Sequence, residues 1–456
     1  MKLKHWVAIK DNKIVEVSDT SVLPAATQVV DAKGKFIIPG LMDSHTHLTS
    51  MPGLSLRDKN SKKMQMAFFE RQGSNYLYYG VTQMVDPANT KEKVEILQSL
   101  GASPDIFYCG AMPVLNGYNA MGIAQNELAK KRPYYVAQDK DPDTSAELRR
   151  EHSATRAVTR MANDGALCGK VFIENGFNFA NHIPIMDEAN LKAVTKQAKK
   201  IKLPVMAHAN ATDIQQIAID AKIDILAHGL WNWLEEQALS KELELPPKVK
   251  DIADQIIEHD IAYQPTINVM RSLRDLMVKG HLQEPEYLTI LPQWQIDWYQ
   301  SEAGQWFAIE MFKDWQGMPI PQIIESFDMK LINGLKVVKY LYDGGATILL
   351  GSDTPPAATY ASQPGLSTYW ELENFAKAGI DLPAILAAAT LNNAKAYNLS
   401  DRYGTVEVGK VANVLLLNSN PLKTVEAYND IDTVVLQGKA IKRSDLHIDR
   451  LEQAAP

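Results

Sequence analysis

The stretch Phe36–Ser50, with the sequence FIIPGLMDSHTHLTS, decides how this chain is organised. An apolar, β-branched run is interrupted at Pro39-Gly40, and Asp43, His45 and His47 then occupy alternate positions. Alternate residues of an extended strand point to the same side, so the two imidazoles are expected to lie close enough to hold one metal ion. Two histidines alone do not establish a metal site, because local hydrogen bonds can satisfy the same pair.

Composition and charge exclude several classes of protein. The chain has 456 residues, 46% of them hydrophobic and 22% charged, which is typical of a globular protein with a large core. Its net charge of −7 argues against nucleic acid or an anionic membrane surface as a partner. No apolar run approaches the roughly 18 residues that span a bilayer. A small-molecule substrate is therefore the expected partner, and assembly into a homo-oligomer is compatible with the sequence.

The N-terminus and the cysteines bear on the compartment. The start of the chain lacks the apolar core of a signal peptide, so the sequence as it stands predicts a cytoplasmic protein. An exported protein whose leader had been removed would look the same. The only cysteines, Cys109 and Cys168, imply no disulfide framework.

Short strand patterns occur at both ends of the chain. They are Trp6–Ile9, Lys13–Val17 and Thr27–Val30 at the N-terminal end, and Gly404–Val406, Val411–Leu417 and Thr433–Leu436 at the C-terminal end. Neither group can bury a core alone, so we expect the two ends to pair into one small β domain. Residues 1–38 and 401–445 are its predicted parts, and residues 39–400 form the region between them.

Between the two ends, short apolar runs alternate with helical patterns. The runs are Leu41–His47, Gly80–Val85, Ile106–Ala111, Gly169–Glu174, Leu203–His208, Ile223–His228, Ile261–Thr266 and Ala346–Asp353. Helical patterns such as Asp187–Ile201 and Asp213–Ala221 separate most of them. This alternation predicts an α/β fold in which the runs close into a parallel barrel, with functional side chains at the C-terminal ends of the strands.

Two long connections interrupt this repeat, at residues 112–165 and 267–335. The second contains Trp294, Trp298, Trp306 and Trp315. The spacing of Trp294 and Trp298 places both rings on one face of a helix. Most such faces are packing surfaces. A lid over the barrel mouth is the functional alternative, because the loops after the strands surround the active site of a barrel.

Several of the predicted strands end in a metal-binding side chain. The first run delivers His45 and His47, the fifth His208, the sixth His228 and the eighth Asp353. Such ligands suit zinc, while manganese, iron and cobalt are compatible with the same residue types. Lys170, in the fourth run, would repel a metal unless it were chemically changed. A lysine amine that adds carbon dioxide becomes a carbamate, an anion able to bridge two metals.

Together these residues resemble the amidohydrolase superfamily. The resemblance rests on Pro39–Leu48, Lys170, His208, His228-Gly229 and Gly351–Asp353, and on the C-terminal segments Ala388–Thr390, Asn393-Ala394, Gly404–Lys410, Ala412-Asn413 and Asn420–Leu422. The chain is most similar to the branch that includes imidazolonepropionase-related proteins and prolidase-like dipeptidases. This resemblance implies a (β/α)8 TIM barrel with a small β-sandwich formed by both termini. Two departures from the family pattern are Ala209-Asn210, where relatives often carry a histidine, and Asn413, where an aspartate is common.

The resemblance also implies a binuclear metal centre, with zinc as the expected metal. In the family pattern His45, His47 and Asp353 hold the more buried ion, His208 and His228 hold the more exposed ion, and N6-carboxylated Lys170 bridges them. Two ions about 3.5–4 Å apart can share a hydroxide at neutral pH. Asp353 is then placed to take its proton and pass it to the leaving nitrogen. Asp43 is either an orienting neighbour of the histidines or a turn residue.

The leading hypothesis is hydrolysis of a carbon–nitrogen amide bond in an N-acyl amino acid, a dipeptide or a cyclic amide. A mononuclear deaminase on the same scaffold is the nearer alternative. Such enzymes resemble each other in having a glutamate soon after the fifth- or sixth-strand histidine and in lacking the lysine, whereas Ala-Asn-Ala-Thr follows His208 here. Ester, lactone or phosphotriester hydrolysis would use the same metals. A non-catalytic scaffold would be expected to lack some of the ligands.

Substrate contacts are expected from the loops that follow the strands. The candidates are Tyr118, Trp231, Trp233, Tyr263 and Arg271. Arg271 could pair with a substrate carboxylate through its planar guanidinium group, although an arginine without that role would have the same local pattern. The sequence does not identify the substrate.

Overall fold

The computed structural model describes residues 6–22, 24–55, 57–142, 144–176 and 182–451. Residues 1–5, which carry part of the expectation about a signal peptide, lie outside these ranges. No helix within the described ranges is long and apolar enough to cross a membrane.

The described residues form thirteen β-strands arranged in three sheets. The strands are β1 (Trp6–Lys10), β2 (Lys13–Ser18), β3 (Phe36–Pro39), β4 (Leu41–Asp43), β5 (Val81–Asp86), β6 (Asp105–Met112), β7 (Cys168–Phe172), β8 (Val205–His208), β9 (Ile225–Ala227), β10 (Ala262–Gln264), β11 (Val414–Leu417), β12 (Ile431–Leu436) and β13 (Lys439–Lys442).

The same residues form sixteen α-helices. They are α1 (Ser61–Tyr78), α2 (Lys91–Gln98), α3 (Gln125–Lys131), α4 (Ala146–Glu151), α5 (Ala154–Asn163), α6 (Glu188–Lys200), α7 (Thr212–Asp220), α8 (Pro247–Glu258), α9 (Asn268–Asp275), α10 (Pro285–Leu288), α11 (Gln293–Gln300), α12 (Trp306–Asp314), α13 (Ile320–Asp343), α14 (Leu366–Lys377), α15 (Leu382–Ala387) and α16 (Asn393–Ala396). Short 3-10 segments lie at Leu234–Lys241, His281–Gln283, Val425–Asn429, Arg443–Leu446 and Ile448–Arg450, and a π-helical turn, Ala388–Asn392, joins α15 to α16.

The two ends of the chain pair with each other, as the sequence predicted. β3 pairs antiparallel with β11 in a four-stranded sheet of order β13-β12-β11-β3, and β1 and β2 form a separate hairpin. Ile14 of the hairpin belongs to one buried cluster with Val414 and Val435 of the larger sheet. The hairpin and the larger sheet therefore share a small apolar core.

Two of the strands predicted at the chain ends are wrong. Thr27–Val30 and Gly404–Val406 have no strand conformation. Val29 is 68% exposed, so the first segment buries no apolar face that would hold it in a sheet.

The prediction of a parallel α/β sheet is confirmed. β4 to β10 form one curled seven-stranded parallel sheet of order β10-β9-β8-β7-β6-β5-β4. Each of the first seven predicted runs overlaps one of these strands. The helices predicted at Asp187–Ile201 and Asp213–Ala221 are α6 and α7, and Asp187 caps α6 by accepting a hydrogen bond from the backbone N–H of Asn190 at 2.8 Å.

The eighth predicted run does not form a regular strand, so the eight-stranded ladder is corrected to seven strands and a bridging segment. Ile348 makes a single parallel bridge to Tyr263, and Thr354 makes one to Thr46. Asp353 has a left-handed backbone with φ 53°, which interrupts the extended conformation that a ladder requires. We refer to residues 346–354 as the bridging segment.

A disulfide joins two neighbouring strands of the parallel sheet. Cys109 of β6 lies opposite Cys168 of β7, with their Cα atoms 4.5 Å apart. Pairs in register on adjacent strands point to the same face of the sheet, which brings the two sulfur atoms together. Two cysteines alone did not predict this pairing.

The second insertion forms α9 to α12 and the first part of α13. Three of its aromatic side chains donate hydrogen bonds to the loop after His47: Tyr299 Oη to Pro52 O at 2.8 Å, Trp306 Nε1 to Gly53 O at 2.8 Å and Trp298 Nε1 to Asp58 Oδ2 at 3.3 Å. These aromatic residues hold the loop that continues from the histidine pair. Their role as a lid stays a prediction.

Gly40 lies between the two sheets, because β3 pairs with β11 and β4 pairs with β5. A Cβ atom at Gly40 would lie 1.9 Å from Thr82 Oγ1. We expect Gly40→Ala to lower the free energy of unfolding by roughly 3 kcal/mol, because the added methyl group overpacks this junction. Urea denaturation measures the loss.

Gly34→Ala is the control for this substitution. A Cβ atom at Gly34 would meet no atom within 4 Å, although its φ of 75° is left-handed. Its expected cost is about 1 kcal/mol, from the backbone conformation alone. Equal losses in the two variants would contradict the steric explanation.

Candidate metal centre

The predicted metal ligands meet at the C-terminal edge of the parallel sheet. His45 and His47 follow β4, His208 ends β8, His228 follows β9 and Asp353 lies in the bridging segment. Parallel strands all present their C-terminal ends at one edge, so ligands that are far apart in sequence come together there.

Asp353 is the centre of the contacts among these residues. Its Oδ1 atom lies 2.9 Å from His47 Nε2 and 3.4 Å from His45 Nε2, and its Oδ2 atom lies 3.2 Å from His228 Nδ1. His228 Nε2 lies 2.9 Å from His208 Nδ1. The donor atoms of His45, His228 and Asp353 all lie within 4.8 Å of one another, which is a compact set for one ion.

The protonation of these side chains suits a cation. Burial is the main cause that lowers the pKa of His45, His208 and His228, so these imidazoles are neutral at pH 7, the form that binds a metal ion. Burial alone would raise the pKa of Asp353, but the facing histidines hold it well below its ordinary value. At His47 burial lowers the pKa, and the bond to Asp353 outweighs it and raises the pKa. Imidazole nitrogens beside an ionised carboxylate fit a divalent metal ion.

Lys170 lies on β7 beside the same group of residues. It is 2% exposed, and its Nζ lies 3.2 Å from Met206 Sδ. Burial lowers the pKa of Lys170 to about 7, while the charge of Asp353 opposes that shift. The charge of Lys170 in turn lowers the pKa of His45, although burial is the larger cause of that shift. Only the neutral amine can add carbon dioxide, so this environment suits the predicted carbamate.

Two residues that the sequence analysis did not single out hold the histidines in place. Gln264 Oε1 accepts a hydrogen bond from His45 Nδ1 at 2.6 Å, which directs His45 Nε2 toward Asp353. Thr266 Oγ1 lies 3.0 Å from His228 Nδ1, and Thr266 has φ 45°, a strained conformation for a β-branched residue. In the sequence, the feature that could have pointed to Gln264 and Thr266 is that both are polar residues at the end of an apolar run.

Asp43 ties the backbone of β4 to the bridging segment. Its Oδ1 accepts hydrogen bonds from the backbone N–H groups of Ser352 at 3.0 Å and His45 at 3.2 Å, and its Oδ2 accepts one from Thr368 Oγ1 at 2.5 Å. The carboxylate is fully buried, and burial raises its pKa. Asp43 thus keeps the backbone that carries His45 beside the backbone that carries Asp353, which supports an orienting role.

The model of the amidohydrolase family matches residues 36–441 of the sequence, which is most of the chain. This chain belongs to the amidohydrolase family. The match includes every residue of the candidate metal centre, and it agrees with the resemblance drawn from the sequence motifs.

Two curated relatives match shorter stretches. A 5-methylthioadenosine/S-adenosylhomocysteine deaminase of Caldanaerobacter subterraneus subsp. tengcongensis is 29% identical over 154 residues, 29% of this chain and 34% of that protein. An imidazolonepropionase of Staphylococcus aureus is 39% identical over 71 residues, 16% of this chain and 15% of that protein. The matched stretches therefore span about a third or less of these relatives.

The solved structures show the same fold over nearly the whole chain. A crystal structure of a Xaa-Pro dipeptidase with bound methionine has a TM-score of 0.67, covering 96% of this chain and 94% of the dipeptidase at 18% sequence identity. At that sequence identity the likeness establishes the fold and does not establish the activity.

Glu174, just after β7, also contacts the centre of this amidohydrolase. Its Oε2 lies 3.2 Å from His208 Nε2 and accepts a hydrogen bond from Asn210 Nδ2 at 3.2 Å. Asn210 is one of the departures from the family pattern, and in this chain it orients Glu174 against His208. No role was predicted for Glu174, although the sequence places it on the same strand face as Lys170.

Two of the predicted substrate-binding residues lie beside the metal centre. The ring of Tyr118 is 4.8 Å from the ring of His208, and the ring of Trp231 is 6.0 Å from the ring of His228, measured between centroids. Burial raises the pKa of Tyr118, so its hydroxyl stays protonated and can donate a hydrogen bond.

The structure does not bring Trp233 or Tyr263 to the centre. Trp233 is 1% exposed and its Nε1 donates to the carbonyl of Leu230 at 3.0 Å. The Tyr263 hydroxyl accepts a hydrogen bond from the backbone N–H of Leu230 at 2.6 Å. Neighbouring residues of a strand point to opposite faces, and Gln264 takes the face that contacts His45.

Arg271 also lies away from the metal ligands in its described contacts. Its guanidinium carbon is 3.7 Å from the centroid of the Trp370 ring. Nitrogen atoms of the guanidinium lie 3.5 Å from Asp275, 3.8 Å from Glu284 and 3.9 Å from Glu373. Three carboxylates already face this charge, so its position does not support the predicted contact with a substrate carboxylate.

Gly351 leaves the space that Gln264 occupies. A Cβ atom at Gly351 would lie 2.7 Å from the side-chain amide carbon of Gln264. We expect Gly351→Ala to push Gln264 away from His45 and to weaken metal binding roughly tenfold or more, as is typical when a partner of a metal-binding histidine is lost. Titration against a competing chelator measures the affinity.

Gln264→Ala is the matched variant and should weaken metal binding to the same degree. The double variant should bind metal no more weakly than Gln264→Ala alone, because both changes remove the same hydrogen bond between His45 and Gln264. Additive losses would show that Gly351 acts on the metal by another route.

Proposed function

We propose that this amidohydrolase cleaves a carbon–nitrogen amide bond in an N-acyl amino acid, a dipeptide or a cyclic amide, with two divalent metal ions, of which zinc is our first choice. The observation that carries the proposal is the meeting of His45, His47, His208 and His228 around Asp353, with Lys170 beside them. Family membership supports a metal-dependent hydrolase. The fold shared with a Xaa-Pro dipeptidase and the short match to an imidazolonepropionase motivate the choice of bond.

The proposed assignment of ligands follows the family pattern. His45, His47 and Asp353 would hold the more buried ion, and His208 and His228 the more exposed one. Lys170, once carboxylated, would contribute an anion between them. Its lowered pKa supports this modification, because an appreciable fraction of the amine is neutral near pH 7.

Individual residues of the chain would each contribute to hydrolysis alongside the metal ions. Divalent ions, when bound, polarise a carbonyl group and lower the pKa of water from about 15.7 toward about 7. Asp353, which is ionised, would accept the proton of the attacking water on a carboxylate oxygen and deliver it to the leaving nitrogen. Tyr118 would donate a hydrogen bond to the oxygen on which negative charge develops. Gln264 keeps His45 in one orientation throughout.

We also infer the finer architecture. The bridging segment would close the parallel sheet into a (β/α)8 barrel, since it bridges Tyr263 at one edge and Thr46 at the other. Residues 1–38 and 401–445 would form the β-sandwich and residues 39–400 the metal-binding barrel.

Deamination at a single metal ion is the second candidate. The match to a deaminase favours it, and so does the compact set of His45, His228 and Asp353. The buried Lys170 argues against it, as does the lack of a glutamate directly after His208. Ester or lactone hydrolysis would use the same centre. A non-catalytic scaffold is disfavoured because all the predicted ligands are present.

Metal analysis separates these candidates. We expect about two divalent ions per chain after supplementation with zinc, manganese or cobalt, measured by mass spectrometry, because the proposed centre is binuclear. The loaded protein should release amine from at least one class among N-acyl amino acids, Xaa-Pro dipeptides and cyclic imides. One ion per chain, with ammonia released from 5′-methylthioadenosine, would favour the deaminase. A protein that takes up no metal would exclude both.

Lys170→Ala tests the bridging anion. We expect the variant to lose roughly 100-fold or more in activity and to retain less metal, because removing the lysine removes the anion that the two ions share. Propionate should restore part of both properties in Lys170→Ala, since a short carboxylate fits the vacated space, and should not activate the unsubstituted protein. Full metal content in the variant without propionate would contradict the bridging role.

A further inference from the structure

A group of apolar side chains, most of them from the second insertion, packs around Trp231 beside the metal centre. We call it the Trp231 cluster, and its buried members are Trp231, Val269, Met270, Ile323 and Phe327. Partly buried Met277, Met311 and Met318 pack against it. Trp231 connects the cluster to the centre, because its ring lies 6.0 Å from that of His228. Flexible methionine side chains allow such a surface to adapt to apolar groups of different shapes.

Helix α13 brings one charged residue to this cluster. Ile323, Phe327 and Lys330 recur at i, i+4 and i+7, which places them on one face of the helix. Asn333 Nδ2 donates a hydrogen bond to the carbonyl of Trp231 at 3.1 Å, so the helix is anchored at the level of that residue.

The direction of α13 sets the level of Lys330. The helix leads into the bridging segment and so runs toward the N-terminal edge of the parallel sheet. Residues before Asn333 therefore lie on the side of the C-terminal edge, where the metal ligands are. Lys330 is three residues before Asn333, so at 1.5 Å per residue it lies about 4.5 Å closer to the C-terminal edge along the helix axis. Lys330 thus lies on that side of Asn333, next to Phe327 of the Trp231 cluster.

Lys330 has no ion-pair partner among the residues that the structure describes. It is half-buried, and within the described part of the chain its ammonium group makes no hydrogen bond and no ion pair. Its Nζ lies 5.9 Å from the centroid of the Phe327 ring. Burial lowers the pKa of Lys330, and no neighbouring charge contributes to the shift. A desolvated cation in apolar surroundings is unfavourable unless an anion offsets the lost hydration.

Other cations of this region already have partners. Three carboxylates face Arg271. Lys336 donates to the carbonyl oxygen atoms of Ser240 and Glu242. Lys339 forms an ion pair with Asp343. Lys330 differs from these cations in leaving its charge available to a ligand.

We propose that Lys330 binds the carboxylate of the substrate and that the Trp231 cluster receives the apolar group attached to it. This inference rests on the proposed function of the metal centre and narrows its substrates to amides that carry an apolar side chain and a carboxylate. A single ammonium group in apolar surroundings matches a monoanion. A phosphate dianion would require more donors than Lys330 supplies.

The test uses the metal-loaded full chain and a ligand without a hydrolysable bond. Calorimetry measures the binding of 4-phenylbutanoate, an apolar carboxylate, and of 4-phenylbutan-1-ol, its neutral counterpart. Lys330→Met should weaken binding of the carboxylate roughly 10- to 100-fold, the usual range for losing a charged hydrogen-bond partner. It should leave binding of the alcohol unchanged. Lys339→Met, the same substitution further along α13, should change neither.

The results separate this proposal from the proposed function. If Lys330→Met binds 4-phenylbutanoate as the unsubstituted chain does, or if Arg271→Met alone weakens it, the proposal is overturned. If the unsubstituted chain does not bind the carboxylate, the proposal is overturned as well. Because neither ligand is an amide, failure to hydrolyse any amide would count against the proposed function alone.

The kinetics of a hydrolysed N-acyl amino acid provide a second readout. Lys330→Met should raise KM roughly 10- to 100-fold and leave kcat within about threefold, because Lys330 contacts a part of the substrate that does not react. A fall in kcat at unchanged KM would contradict a binding role.

Discussion

The carboxylate of Asp353 is the group on which the centre depends, because His45, His47 and His228 all contact it. A buried ionised carboxylate is unfavourable unless positive charge offsets it, and the histidines around it are mostly held in the neutral form by burial. The lone pairs of the neutral imidazoles and of the carboxylate stabilise the site when a divalent cation lies between them. The arrangement is therefore well suited to holding metal and would be a poor way to build an ordinary core.

Side chains, more than a regular ladder, keep Asp353 in position. Its left-handed backbone ends the extended conformation of the bridging segment, and Asp43 then holds the segment by accepting a hydrogen bond from the N–H group of Ser352. Gln264 fills the space beside Gly351 and binds His45 at the same time. Strained backbone at functional positions persists only where its surroundings fix it. Here the side chains that fix Asp353 also orient the histidines, so geometry and ligation are maintained together.

The parts of the fold and site that the sequence predicted are those with a local signal. Seven parallel strands appear as apolar runs of strand length, and the ligands appear as polar residues at the ends of those runs. The eighth run has the same apolar pattern, but it forms no regular strand because the backbone at Asp353 is left-handed. Gln264 and Glu174 also lie near the ends of apolar runs, but their roles depend on contacts with histidines that are distant in the sequence, so the local pattern does not reveal them. Arg271 is the opposite case. Its guanidinium group suited a contact with a substrate carboxylate, but carboxylates from other parts of the sequence already face it.

The proposed chemistry and the proposed substrate selection involve different parts of this molecule. The candidate metal ligands lie at the end of the parallel sheet and in its bridging segment, whereas the second insertion packs against Trp231 and binds the loop after His47. Tyr299 and Trp306 bind backbone carbonyl groups of that loop, so they position it whatever its side chains are. On this proposal, changes in the insertion alter which substrate fits without moving a candidate metal ligand.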